Sequence, residues 1–589
     1  METNLLFVAK SASVESVPLS NEHESLFSKL LSGCRGIKAF ALMFLVIFGV
    51  DASAQFTISG AAPATNGTYT SLTGAGGAFA ALNGTAQTSN NIVVTVTASS
   101  TTLEDGSVAL GAGAWTSLRI VPVAGAWTIS GDISGAALIT LNGSDNVTID
   151  GINSGGVSLT IDNLNAGSTN STATIKIDND ATNNTITNCT ILGGYSPADI
   201  TTGTTFGGTI WFGLNGPSTG NDVNTISNCN IGNTAAGLPA VAIFSLGNVT
   251  TAAQANSSIT IRNNNIYNYF QKSSAATRSA GVYCGSGTKT WTIDGNRFYQ
   301  TATRTFTASD VQHSPIWCNS NAATSGNEAM TITNNIIGYA SSTQTGTYTL
   351  DGGNTTGGKF IAIYFTGRPA SGTVTSTISN NTIQAVSFTN TQSSGTGITS
   401  PFAGIIMNFS ATGTTTNTHN NIIGSQTATG SLTYTKVTNT TTSEVHGISR
   451  LGGNGTTWNA LGNQIGGITM GYASSTGGRI DFIGMKCALA ASGGTFTATS
   501  NIIGGSVANS IQLNNSSSTS SRMVGFQSDN SANNGGTANN LQGNTIRNFA
   551  LSSTCNPSGN GTSAGMAGII VNTTGAQTIR NNTIFGLTI

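Results

Sequence analysis

Trp211, Phe244, Tyr283, Trp317 and Tyr364 are the residues of this chain whose types and spacing could do recognition chemistry. Each sits third in a short segment of one kind: "TIWF", "AIFS", "GVYC", "PIWC" and "AIYF". In an extended strand, successive side chains point to opposite faces. If Ile210, Ile243, Val282, Ile316 and Ile363 point into a core, the aromatic that follows each of them points out. Strands stacked about 4.8 Å apart would line the five rings into a stripe roughly 20 Å long. Aromatic faces suit the apolar faces of sugar rings, so the stripe is a candidate glycan contact. Like side chains also stack in repeat folds simply because one unit lies on the next, and packing is the second reading.

Reaction chemistry asks for more. Glycoside hydrolysis needs paired carboxylates, and elimination from an acidic sugar needs a base with carboxylates or calcium beside it. Asp310 and His313 in "SDVQHSPIW" are the best acid–base pair present, and the segment reads as a solvated loop. Asp178 and Asp180 in "DNDATNN" match a calcium loop only in part and read as a turn with capping Asp. Glu444, Asp481 and Arg522 each lie three residues before a strand glycine in successive repeats, which predicts a stacked, salt-bridged charge ladder. Cys189 and Cys229 share one repeat position, and Cys284 and Cys318 share another; the expectation is buried stacked thiols. No cysteine or histidine spacing fits a zinc site. The sequence therefore predicts no catalytic residue, no metal and no cofactor.

The elements that must carry these residues come from a second pattern, T-I-x-[NG]-[NC]-x-[IF]. Its fifth position is Cys189, Cys229, Asn264, Asn296, Asn335, Asn381, Asn421, Asn463, Asn501, Asn544 and Asn582, at intervals of 32 to 46 residues. "TISGDIS" (128–134) and "TIDGINS" (148–154) read as shorter early copies. Asn tolerates left-handed backbone angles and bonds its own backbone, so a paired Asn can turn one strand into the next. Equivalent Asn amides stacked along the repeat can bond as a ladder. No amphipathic helical stretch separates the strands, which excludes helical and leucine-rich repeats. A unit this short cannot bury its own apolar face, so the units must stack as an all-β solenoid.

Composition agrees. Charged residues are 7% of 589, Gly is 75 and Pro only 10, with Thr, Ser and Asn abundant. A net charge of −1 gives no reason to expect a nucleic acid or an anionic membrane as partner. Arg35 and Lys38 precede the apolar run Ala39 to Val50 and then "ASA" at 52–54, the order of a secretory signal with cleavage after Ala54. That run is too short to span a bilayer comfortably. The expected organisation is a leader over 1–54 with a long amino-terminal region, a cap and first strands over 55–125, and repeats over 126–589. "GGAFAALNG" (76–84) would form a short capping helix with Phe79 and Leu82 inward. The chain stops inside a repeat at "NNTIFGLTI", so an uncapped, truncated carboxy-terminal end is expected.

"GSDNVTIDG" (143–151), "DATNNTITNCTI" (180–191) and the Asn-Asn corners resemble right-handed parallel β-helix repeats of the pectin-lyase-like superfamily. More closely, they are similar to secreted β-strand-repeat surface proteins of the Bacteroidetes group. The resemblance covers most of 126–589 and implies a fold, with coils of about forty residues including long loops. It does not imply one activity, because the same solenoid hosts lyases, hydrolases and adhesins. The clustered-Asp, "GHG" and "RIK" signatures of its hydrolases and the motifs of its lyases are absent. The expectation is a secreted or cell-surface, non-catalytic, adhesin-like or structural protein that contacts polysaccharide, without membrane insertion of the mature chain. The alternative is a polysaccharide lyase or glycoside hydrolase with a divergent site.

Overall fold

A computed structural model describes residues 54–589 except 203, 215–216, 249, 272–277, 309–310, 321–325, 353–357, 368–373, 391–394, 410–411, 438–441, 454, 474–477, 490–492, 515–520, 531–535 and 553–564. All but the last residue of the expected leader, and Asp310, lie outside the described residues. No described helix is long and apolar enough to cross a membrane.

The chain winds as a right-handed parallel β-helix with three faces. The T-I-x segments lie in a first sheet of sixteen strands, and a third sheet of twelve runs from Ala137–Asn142 to Met566–Asn572. Between them lies a second sheet, which doubles into two rows from Arg304–Thr305 onward. Register is strict because one face is buried. In the first sheet Ile186, Ile226, Ile261, Ile293, Ile332 and Ile378 are successive partners, all fully buried. "TIDG" at 148–151 belongs to this sheet, whereas "TISG" at 128–131 pairs with Ser158–Asn163 in the second sheet. Both copies show the same period of two, so the sequence pattern alone could not separate them.

The Asn pair turns the first sheet into the second. Its first residue is left-handed, with φ between 53° and 56° at Asn188, Asn228, Asn263, Asn334, Asn380, Asn420, Ser500 and Asn581. Glycine takes the same place at Gly295, Gly462 and Gly543, as a positive φ permits. Its second residue forms the ladder. The Nδ2 of Asn264 donates to Asn296 Oδ1 (2.9 Å), and the chain of amides continues through Asn335, Asn381, Asn421, Asn463, Asn501 and Asn544 to Asn582. Each Oδ1 also accepts a backbone N–H from the coil before it. A buried amide is thus satisfied at every coil.

At the amino-terminal end, the helix Ala78–Gly84 buries Phe79 and Leu82. Phe56–Ser59 pairs antiparallel with Gly67–Tyr69 and with Asn91–Val96. Glu104 pins this region by accepting from Leu72 N (2.9 Å), Thr73 N (2.8 Å), Ser71 Oγ (2.6 Å) and Thr73 Oγ1 (2.9 Å). In the last coil Ile579, Ile584, Phe585 and Ile589 are exposed.

Candidate functional site

The third sheet carries every residue singled out for recognition or ion pairing. Its later strands bend at glycine: pairing skips Gly404, Gly447, Gly484, Gly525 and Gly568. A β-carbon at Gly447 would lie 2.5 Å from Gly484 O and 2.7 Å from Ile465 Cδ1. Before the bend Val445 points into the core and Glu444 and His446 point out; after it Ile448 points in and Ser449 out.

Trp211, Phe244, Tyr283, Trp317 and Tyr364 are in-register partners on the outer side of this sheet. Phe244 stacks on Tyr283 at 5.3 Å, Trp317 meets Tyr283 edge-on at 6.0 Å, and Tyr364 meets Trp317 edge-on at 5.8 Å. They are not an exposed strip. Tyr364 is half-buried and the other four are 1% to 4% exposed, in a small apolar cluster with Ile200 and Leu246 and, at its edge, Phe206 and Leu214. Phe206 stacks on Trp211, and Lys176 Nζ lies 4.2 Å from the Trp211 ring centre. The period of two placed the rings correctly on the outer face. What it could not show is that the connections between sheets, built of Gly, Ser and Thr with an occasional Ile or Phe, fold back over them.

Further along the same face lies the charge ladder. Glu444, Asp481 and Arg522 are successive register partners. Arg522 Nε and Arg479 Nη2 both reach Asp481 Oδ2, at 2.8 and 2.7 Å, and Lys486 Nζ reaches Glu444 Oε2 at 2.8 Å. Burial alone would raise the pKa of Glu444, but the hydrogen bonds of His446 and Lys486 and the charge of Lys486 outweigh it and hold the carboxyl well below its usual range. Asp481 shifts the other way, because burial outweighs its two arginines. The turn Gly397–Thr399 closes over Glu444, with Gly397 N donating to Oε2 at 2.8 Å.

Two members of this cluster were not singled out from sequence. His446 Nε2 donates to Glu444 Oε2 (2.9 Å), which leaves Nδ1 to accept from Ser449 Oγ (2.6 Å). Burial lowers the pKa of His446 and keeps it neutral. A hydroxyl, a neutral imidazole and a carboxylate in series are the parts of an activated nucleophile, although Ser449 and His446 are buried. The signal was present in "SEVHGISR": alternation puts Glu444 and His446 on one face, and the glycine bend returns Ser449 to it.

His313 differs from expectation. It lies in the strand Gln312–Asn319 and points into the core, fully buried against Tyr269, Phe270 and Phe360. Its Nε2 bonds the Tyr348 hydroxyl and its Nδ1 lies 2.7 Å from Ser279 Oγ. Burial, with the charge of Arg304, lowers its pKa to about 3. The correction follows from strand register: the residue opposite it one coil on is Phe360, an inward position. Asp178 pairs with Lys176 (2.6 Å), and Asp180 accepts from the backbone of Ser218 and Gly220 one coil on, so it ties two coils together. The five described cysteines are free, buried thiols. No group of three or more His, Cys, Asp or Glu among the described residues could hold a metal ion.

No family model matches the chain, and no curated protein matches it. Among solved structures it is similar to the A-module of the mannuronan C-5 epimerase AlgE6 of Azotobacter vinelandii, with 11% identity and a TM-score of 0.33 over 80% of this chain and 91% of that one. It is also similar to the Streptococcus pneumoniae surface protein and adhesin PfbA, with 15% identity and a TM-score of 0.31 over 66% and 90% of the two chains. These values bear on neither activity nor ligand. The parallel β-helix itself rests on the chain's own strand pairing.

Proposed function

We propose that this protein is a secreted or cell-surface, non-catalytic β-helix with an adhesin-like role, contacting polysaccharide at its loop-bearing flank. One observation carries the reading: the outer face of the third sheet is closed. Its aromatic rings pack under the connecting loops, and its ionisable groups are spent on one another. A reaction centre needs groups that can reach a substrate, and a non-catalytic role does not. The five rings support the loops above them, so a glycan would meet the protein outside the strip.

The test is a polysaccharide-binding screen with the full chain, in which the length of each glycan is followed over time. Binding with intact glycan is the expected outcome. Trp211→Ala and Trp317→Ala are expected to lower the melting temperature rather than to abolish binding selectively. A second reading, hydrolysis of an ester substituent on a glycan, is favoured by the Ser449–His446–Glu444 series, the parts of an acyl-transfer nucleophile. Acyl groups released from an acylated glycan by the parent, and not by Ser449→Ala, would establish that reading; shortened glycan would overturn the non-catalytic one.

A further inference from the structure

A groove of about 760 Å³ opens on the flank that carries the connections from the second sheet to the third, lined by Ser168, Leu238, Phe270, Gln271, Arg304 and Thr305 among others. It has a structural cause. Arg304–Thr305 is the first strand of the added row in the second sheet, paired with Tyr348–Asp351 one coil on. The coil before it contributes no strand to that row, so the row begins at a step and leaves a notch. Arg304 is the register partner of the fully buried Leu350. At the step, the same position opens into the groove.

The guanidinium of Arg304 is held rigidly. Its Nε donates to Gln300 Oε1 and its Nη2 to Asn268 Oδ1, both at 2.6 Å. Both partners are neutral, and among the described residues no carboxylate pairs with it. The contrast with the other face is direct: Arg479, Lys486 and Arg522 all lie against carboxylates. A half-buried cation without a counter-charge is costly to keep, and burial lowers its pKa. Two of its five N–H donors are used in fixing it, which leaves donors in a planar fork for an acceptor in the groove. Around it, the half-buried Leu238 offers apolar surface, and Ser168, Thr303 and Thr305 offer hydroxyls.

We propose that this groove is a binding site for an oligosaccharide bearing an anionic group, a carboxylate or a sulfate, which Arg304 recognises. The site deepens the polysaccharide-binding reading above and rests on it. A planar fork matches either anion, and an uncharged sugar would leave the guanidinium without its partner.

The test measures binding of the full chain to polygalacturonate, dextran sulfate and neutral dextran of similar length, by biolayer interferometry at low and physiological salt. Both charged polymers are expected to bind more tightly than dextran, the better of the two naming the anion. Arg304→Gln should weaken that binding at least tenfold, with Arg304→Lys between it and the parent. Ala236→Trp, at an exposed position on the groove wall, should block it without touching Arg304. Melting temperatures of the variants separate lost binding from lost folding. Arg304→Gln that folds and binds the charged polymers like the parent would overturn the inference. Equal or better binding of dextran would also overturn it while leaving polysaccharide binding intact. A parent that binds no glycan in the broader screen would remove both.

Discussion

His313 is a histidine in the place of a core aromatic, and its chemistry follows from that position. It is neutral when folded, because charging it would break the acceptor role of Nδ1 toward Ser279 and put a cation beside Arg304. Its folded pKa, about 3, lies below its ordinary 6.5, so the stability it contributes is complete above 6.5 and is lost as pH falls toward 3. At roughly 1.4 kcal/mol per pKa unit the effect amounts to a few kcal/mol. His313→Phe should therefore be less stable than the parent at pH 7, having lost two hydrogen bonds, yet lose less stability between pH 6.5 and pH 4. Parallel melting curves across that range would show that His313 is not the sensor. The Asn pair allows an equally sharp comparison. Asn421 exchanges bonds with Asn381, Asn463 and Ile378 O, so Asn421→Gly leaves buried polar groups unpaired and should cost about 3 kcal/mol. Asn420→Gly one residue earlier keeps the positive φ of 53° and should cost less than about 0.5 kcal/mol. Urea midpoints decide it, and equal losses would refute the division of labour within the pair.

At the scale of elements, two devices shape the solenoid. Glu104 gathers two backbone and two side-chain donors from Ser71, Leu72 and Thr73 in front of the capping helix. Glu104→Ala should loosen the cap and expose Phe79 and Leu82, read as faster proteolysis confined to residues 54–115. Uniform protection would show that the helix holds without it. The glycine bend of the third sheet is the other device. Gly447→Ala forces a methyl group against Gly484 O and the Ile465 side chain and should cost about 1–3 kcal/mol. It should also disturb the Ser449–His446 bond, which spans the bend; an unchanged His446 imidazole NMR signal in the variant would contradict that coupling.

For the whole molecule, each coil touches mainly its neighbours, so stability approximates a sum of units and interfaces. Coils with two neighbours should open last. Hydrogen exchange should be slowest along the Asn ladder between Asn296 and Asn501 and faster in Arg304–Thr305, which has a strand partner on one side only. A flat profile would mean that the solenoid opens as one unit. Periodicity in the sequence determined the coil, its corners, the inward Ile rows and the outward position of the five aromatics, because strand alternation and left-handed turns are local properties of a few residues. The Glu444–Asp481–Arg522 ladder was legible for the same reason: equal offsets from a repeated glycine become equal register. Tertiary structure alone decided what covers those positions. The sealing of the aromatic row, the inward turn of His313, the Ser449–His446–Glu444 series and the open notch at Arg304 all depend on where irregular loops and an extra strand row lie. Those placements follow from contacts between coils some forty residues apart, which no period of two records.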